Sequence, residues 1–166
     1  MPSATEVQEK TYGNAYEDGA AGTGTQRPLV EEIVLFLSVH RGRRPGLMWL
    51  EHEPLDPRVV ERSLPSALAH RLARGITELP HLPGEPEYGF THTPQDLLVC
   101  QLGGSDTWHI APQSGTALTL RVQTGAVLYV PPHALCTRHK SKRSRTLLLA
   151  LGPGRNADPV AWRVPG

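Results

Sequence analysis

A series of short strand patterns between Tyr88 and Gly152 constrains the fold of this chain more than any other feature. Val, Leu, Thr and Tyr fill the runs, whereas Gly, Pro, Asp and Ser fill the gaps between them. The predicted strands span residues 91–102, 106–110, 117–122, 126–130, 136–139 and 146–151. Many short strands separated by turn residues are typical of an all-β sandwich or barrel.

Two segments inside this region carry a more specific signal. The first reads Asp-Leu-Leu-Val-Cys-Gln-Leu-Gly-Gly-Ser-Asp-Thr-Trp from Asp96 to Trp108, and the second reads Gly-Ala-Val-Leu-Tyr-Val-Pro-Pro from Gly125 to Pro132. In this order and spacing they resemble the cupin-type double-stranded β-helix of the JmjC-like oxygenases, particularly the bacterial branch that hydroxylates ribosomal proteins. The resemblance implies a mainly β jelly-roll barrel with one or two short α-helices packed outside.

The same resemblance implies a changed metal site. The family's metal-binding His and Asp fall on Thr91 and Thr93, and its distal His falls on Cys136. A non-haem iron oxygenase needs two imidazoles and one carboxylate on one face of the metal. All three positions are substituted, so the sequence predicts no cofactor, with Fe(II) and 2-oxoglutarate as the alternative.

The candidate functional residues come from the predicted barrel. The residues predicted to serve catalysis are Cys136, His133 and His92, and those predicted to bind substrate are Thr91, Thr93, Gln101, Arg138, Tyr129 and Trp108. Asp96 is expected to support the site without binding a metal.

Side chains on a strand alternate between its two faces. The alternation predicts that His92 and His139 point out of the barrel and that Arg138 points in. His133 lies in the turn after Pro132, where alternation gives no direction. In the alternative, a rebuilt site holds metal with His92, His133 and His139.

Two hypotheses about function remain open at this point. In the first, the protein binds a peptide or a small metabolite in its barrel and is a non-oxygenase accessory or modifying protein in a bacterial biosynthetic pathway, working with a partner enzyme. In the second, it is an Fe(II)/2-oxoglutarate-type oxygenase, or a metal-free cupin isomerase or cyclase, with a rebuilt site.

Residues 1–27 are predicted to be a disordered or partner-binding arm, and residues 28–166 the cupin-like domain. The apolar run 33–39 is predicted to be a buried strand that forms a hairpin with a second strand at 47–50. Cupin barrels expose sheet edges, and this run could extend the sheet of a second copy, so a homodimer is expected.

A helical region follows. Asp56 and Pro57 predict a helix start, and Pro65 is expected to split the helical region into 58–62 and 66–74. Leu64, Leu68 and Leu72 recur every four residues and are expected to pack outside the barrel. Residues 79–87 are predicted to be an extended connection.

Charge and hydropathy exclude several classes of protein. The formal net charge is +1 at pH 7, which argues against nucleic acid as a partner. A run of 18 apolar residues and a signal peptide are both absent, so a cytoplasmic protein without a membrane span is expected. The two cysteines, Cys100 and Cys136, are expected to be thiols. Two basic clusters, 41–44 and 138–145, could contact an acidic peptide or a phosphate.

Overall fold

Two antiparallel sheets face each other, and two helices cover the outer face of one of them. The computed structural model describes residues 23–51, 56–80 and 91–154. The helices are α1 (Thr23–His40) and α2 (Pro57–Leu72). The strands are β1 (Gly46–Trp49), β2 (Arg74–Leu79), β3 (Thr91–His92), β4 (Asp96–Gly103), β5 (Ser105–Ala111), β6 (Leu118–Gln123), β7 (Ala126–Val130), β8 (Leu135–Lys140) and β9 (Arg145–Gly154).

Eight of the strands pair as one long antiparallel hairpin would. β2 pairs with β9, β3 with β8, β4 with β7, and β5 with β6 at the tip. Rolling this hairpin up brings β4 beside β9 and β5 beside β8. The helix-side sheet has the order β1-β7-β4-β9-β2, and the opposing sheet has the order β3-β8-β5-β6. This is the jelly-roll arrangement, which confirms the predicted fold class.

The central strands of the helix-side sheet contribute to two separate cores. The barrel core lies between the sheets and consists of Leu97, Val99, Trp108, Ile110, Val122, Ala126, Leu128, Val130, Ala134, Cys136 and Leu148. The helix-facing core lies on the other face and joins both helices to Leu98, Cys100, Val127, Tyr129, Leu147, Leu149 and Leu151. Because β4, β7 and β9 are buried on both faces, their sequences read as nearly continuous apolar runs.

The prediction of a strand at 33–39 is wrong, because this segment lies inside α1. Ile33, Phe36 and Leu37 are buried, whereas Leu35 and Val39 are exposed. That spacing of three to four residues is helical, but a short apolar run does not by itself distinguish a buried strand from a helix. The predicted hairpin therefore does not form, and β1 pairs with β7 instead. The homodimer was expected because of this strand, which is not present, and it stays a prediction.

The start of α2 is as predicted, but its division at Pro65 is wrong. The Asp56 side chain accepts a hydrogen bond from the Arg58 backbone N–H at 2.9 Å. The helix continues through Pro65 to Leu72 and ends at Ala73, which has a left-handed conformation. A proline inside a helix loses one hydrogen bond, and the burial of Leu64 and Leu68 in the helix-facing core outweighs that loss.

Several other sequence predictions can be placed on the structure. The predicted strand 91–102 is two strands, separated by a break at residues 93–95. Of the predicted connection 79–87, Leu79 ends β2 and residues 81–87 lie outside the described residues. Residues 1–22 of the predicted arm also lie outside them, and α1 begins at Thr23. The division of the chain into arm and domain stays a prediction.

In the described part of the chain, neither helix is long and apolar enough to cross a membrane. Cys100 and Cys136 are both buried and are not joined in a disulfide. They belong to different cores, Cys100 to the helix-facing core and Cys136 to the barrel core. Burial raises the pKa of the Cys100 thiol to about 12, so this thiol stays protonated near neutral pH.

Candidate functional site

The three positions that correspond to the family's metal ligands lie at one end of the barrel. Thr91 on β3 is the backbone partner of Cys136 on β8. Thr93 follows directly and is 3% exposed. Its N–H donates to the Ala134 carbonyl at 3.2 Å, and its carbonyl accepts from the His133 N–H at 2.6 Å. The fold therefore brings these chain segments together as the resemblance implies.

The residues at these positions do not fit an iron site. The Thr93 hydroxyl already donates to the Pro131 carbonyl at 2.9 Å. Cys136 is fully buried in the barrel core. A threonine hydroxyl is a poor neutral ligand, and one thiol cannot replace the two imidazoles and the carboxylate that hold Fe(II).

The structure does not bring the histidines of the alternative metal site together within the described residues. His133 is exposed and has a positive φ of 64° in the turn before β8. His139 is exposed, and its ring lies 5.3 Å from the His109 ring on the outer face of the barrel. The backbone of His92 pairs with Leu135. Within residues 23–51, 56–80 and 91–154, no three His, Cys, Asp or Glu side chains are grouped to hold a metal.

A small pocket opens beside Thr93 at the same end of the barrel. Its volume is about 220 Å³. It is lined by Thr77, Leu79, Thr93, Pro94, Gln95, Asp96, Leu97 and Ala150. This barrel-mouth pocket combines a largely apolar wall with a few polar groups, which is the usual composition of a small-molecule site. Its volume suits a small metabolite or a single apolar side chain.

The opposite end of the barrel is closed by a buried ion pair. Arg138 donates through Nε to the Asp106 carboxylate at 2.9 Å, and the two side chains are 6% and 0% exposed. Arg138 also donates to the Thr146 hydroxyl at 2.6 Å, and its guanidinium carbon lies 5.6 Å from the centre of the Trp108 ring. Thr146 in turn donates to the Gln101 side chain at 3.2 Å. Arg138 thus points inward and His139 outward, as the alternation predicts.

The Asp106 carboxyl is held in its charged form. Burial acts to raise its pKa, but hydrogen bonds from Ser144 and Arg138, the Arg138 charge and the Ser141 N–H together bring the pKa below its ordinary value. The donors of the ion pair therefore compensate for the loss of water around the carboxylate.

Six of the predicted site residues lie in four different places. Thr93 lines the barrel-mouth pocket, and Cys136 lies in the barrel core. Gln101, Trp108 and Arg138 surround the buried ion pair. Tyr129 faces the helices. Their catalytic and substrate-binding roles stay predictions.

Sequence reasoning missed the β2 wall of the pocket, which contributes Thr77 and Leu79. In the run Gly-Ile-Thr-Glu-Leu from Gly75 to Leu79 the apolar residues Ile76 and Leu79 are three positions apart, so strand alternation does not mark it. It follows the helical pattern of α2 without a clear break, and the helix prediction extended to Arg74, the first residue of β2.

Tyr129 fixes the turn after α1 to the sheet. Its hydroxyl donates to the Asp96 carboxylate at 2.5 Å and accepts from the Gly42 N–H at 2.7 Å. Burial, and after it the bond to Asp96, raises the pKa of Tyr129 above its ordinary value. Gly42 has a φ of +69°, which favours glycine. Asp96 thus supports the turn through Tyr129, and its side chain also lies 3.6 Å from Arg74.

We expect Tyr129→Phe to destabilise the fold by about 1–2 kcal/mol, because it removes one donor from Asp96 and one acceptor from Gly42. Urea unfolding measures this cost. In an Asp96→Asn background the cost of Tyr129→Phe should be smaller, since the shared hydrogen bond is already weakened. Equal costs in both backgrounds would show that the Tyr129–Asp96 bond contributes no stability.

Comparison with known proteins shows that this chain is similar to several solved structures, at low sequence identity. No protein-family model matches the chain, and no curated protein matches its sequence. Among solved structures, acireductone dioxygenase from Bacillus anthracis, with cadmium in its active centre, is 13% identical with a TM-score of 0.45, over 74% of this chain and 83% of that one. The ribosomal oxygenase YcfD from Escherichia coli, with cobalt and 2-oxoglutarate, is 11% identical with a TM-score of 0.43, over 75% of this chain and 52% of that one.

A third similar structure is HEPD from Streptomyces albus with 2-hydroxyethylphosphonate and Fe(II) bound. It is 20% identical with a TM-score of 0.37, over 51% of this chain and 18% of that one. The chain therefore spans less than a fifth of HEPD and about half of YcfD. The strand pairing of this protein is that of a jelly-roll barrel. At these identities the likeness concerns the fold alone.

Proposed function

We propose that this cupin-fold protein binds a small, largely apolar ligand in the barrel-mouth pocket and is not an iron-dependent oxygenase. The ligand is a small metabolite or an apolar side chain of a peptide. One observation carries the proposal: the position of the family's metal-binding carboxylate is Thr93, whose hydroxyl is bonded to a backbone carbonyl beside an apolar pocket. The site therefore offers a shaped apolar surface in place of charged metal ligands.

The pocket lining explains how a ligand would be held. Leu79, Leu97 and Ala150 supply apolar contact, which is the larger part of the binding free energy for a ligand of this size. Thr77 and Gln95 can each form a hydrogen bond that fixes the ligand's orientation. A peptide side chain bound in this way would be presented at the barrel mouth to a partner enzyme, which suits an accessory role in a biosynthetic pathway.

The test uses 4-methylpentanamide, a neutral mimic of a leucine side chain with one amide, as the probe. Its addition should shift the backbone amide NMR signals of the pocket residues that carry an N–H, which are Thr77, Thr93, Gln95, Asp96, Leu97 and Ala150. Ala150→Leu should abolish these shifts, because the larger side chain fills the pocket. Ala111→Leu, the same substitution on β5 outside the barrel-mouth pocket, is the control and should leave binding unchanged.

Two results would contradict the proposal. One is the absence of shifts at the barrel mouth with the probe at high millimolar concentration. The other is a wild-type protein that binds one Fe(II) per chain and turns over 2-oxoglutarate. Loss of that iron in His92→Ala or His133→Ala would then favour an oxygenase with a rebuilt site.

A further inference from the structure

We propose that a second surface, the arginine groove, binds an extended acidic peptide that also carries apolar residues. The groove lies between the turn at 41–45 and the loop at 112–117, and it is separate from the barrel-mouth pocket. The residues that define it are His40, Arg43, Arg44, Ser114, Thr116 and Leu118. Its volume is about 750 Å³, more than three times that of the barrel-mouth pocket.

The groove lies where both sheets end at a free edge. β1 is the outermost strand of the helix-side sheet and begins at Gly46, directly after the arginine turn. β6 is an outermost strand of the opposing sheet and begins at Leu118, directly after the loop. An edge strand presents unpaired backbone N–H and carbonyl groups, to which an extended peptide can add. This favours a peptide over a compact small molecule.

The charge of the groove is uncompensated within the described residues. Arg43 and Arg44 are exposed and have no ion pair there. Other exposed arginines do have such partners, as Arg71 has in Glu31 and Arg145 has in Glu61. Basic residues also clearly outnumber acidic ones in the described ranges. Two unpartnered guanidinium groups in one groove favour carboxylates as their ligands.

The arginine turn is fixed before any ligand binds. The Gly42 N–H donates to Tyr129, and the Arg43 N–H donates to the His40 carbonyl at 3.0 Å. The His40 ring packs on Phe36, with ring centres 4.7 Å apart, and against Gly46 so closely that a Cβ there would lie 2.5 Å from Nδ1. A fixed backbone lowers the ordering cost of binding, which then falls mainly on the two arginine side chains.

Apolar side chains flank the arginines. Val39 is 52% exposed and Leu118 is 37% exposed, and both line the groove. An extended peptide presents side chains to both walls of a groove. A sequence with both acidic and apolar residues would therefore place carboxylates on the arginines and apolar side chains on Val39 and Leu118. Among the described residues that line the groove, His40 is the only one with an aromatic ring, and this ring is already packed on Phe36. Single-stranded nucleic acid, whose bases stack on exposed aromatic rings, is therefore disfavoured.

The experiment measures fluorescence anisotropy of a fluorescein-labelled hexapeptide of alternating Glu and Val on the full chain. Arg43→Gln with Arg44→Gln should weaken binding about tenfold, since two exposed charge contacts are lost. Arg58→Gln with Arg62→Gln, which removes two charges from α2, is the matched control and should change binding less than about twofold, because these side chains lie outside the groove. A second peptide of alternating Gln and Val lacks the carboxylates. Its affinity for the wild type should be as low as the affinity of the Glu and Val peptide for the Arg43→Gln, Arg44→Gln variant.

Other results would overturn the proposal. Equal losses in both arginine double variants would mean that only net charge attracts the peptide. Displacement of the peptide by millimolar phosphate, but not by chloride at the same ionic strength, would assign the groove to a small anion. Unchanged affinity in Val39→Ser would remove the apolar half of the proposal, and no binding to the full chain would remove all of it.

Discussion

Asp106→Asn is expected to destabilise the fold by about 3–5 kcal/mol, because it leaves the Arg138 guanidinium buried without its counter-charge. An asparagine at this position keeps nearly the same shape, so the lost unfolding free energy reports the effect of the charge and not of the packing. The Asp106 and Arg138 side chains are 0% and 6% exposed, and water cannot replace the lost partner. Urea unfolding followed by circular dichroism measures the change.

A matched control lies on the surface. Glu61→Gln breaks the exposed ion pair with Arg145, whose side chain is 42% exposed, and should have a much smaller effect. Replacing both buried partners, Asp106→Leu with Arg138→Met, should recover much of the loss, since an apolar pair carries no desolvation cost. If Asp106→Asn costs no more than Glu61→Gln, the buried pair does not stabilise the barrel.

The same carboxylate predicts a dependence of stability on pH. The pKa of Asp106 is lower in the folded protein than its ordinary value of about 3.9. Its contribution is therefore fully present above the unfolded pKa, and it is lost as pH falls through the folded pKa. The difference in unfolding free energy between wild type and Asp106→Asn should stay constant from neutral pH to about pH 5 and shrink below about pH 4.

The second large effect is expected in a variant that restores the family's metal ligands, Thr91→His with Thr93→Asp and Cys136→His. Without metal this variant should be less stable than wild type. Replacing Thr93 removes the bond that its hydroxyl donates to the Pro131 carbonyl, and an imidazole in place of the Cys136 thiol crowds the barrel core. A bound cation would compensate for both losses of stability, because it neutralises the new carboxylate and is bound by the two imidazoles.

Co(II) is a redox-stable probe for this variant. At a free concentration about 100 times its dissociation constant, Co(II) should stabilise the triple variant by about 2.7 kcal/mol, and the melting temperature should rise with its concentration. The double variant Thr91→His with Cys136→His, which lacks the carboxylate, should show a smaller rise. A triple variant that folds but gains no stability with Co(II) would show that these three positions do not converge on one metal.

Local patterns in the sequence were sufficient to predict most strands between residues 91 and 154 and the direction of several side chains, but not β2. Alternation within a strand is a local property, so it correctly placed Arg138 inside and His139 outside the barrel. The Asp56 cap and the Leu64 and Leu68 contacts of α2 follow from spacing along one helix and were equally predictable. The changed metal positions were also visible in the sequence, because they depend only on residue types within two short segments.

Which of these residues meet depends on the packing of elements that are far apart in the chain. The run 33–39 is helical because its buried face packs on the back of the sheet, whose strands β4, β7 and β9 are distant in sequence. Tyr129 and its neighbour Val130 point to opposite cores. The face that carries Tyr129 is buried only because the helices pack on it. The barrel-mouth pocket joins β2, β4 and β9, and the arginine groove joins the turn after α1 to the β5–β6 loop. Such sites depend on the nested pairing of distant strands, and no local pattern in the sequence encodes which distant side chains the pairing brings together.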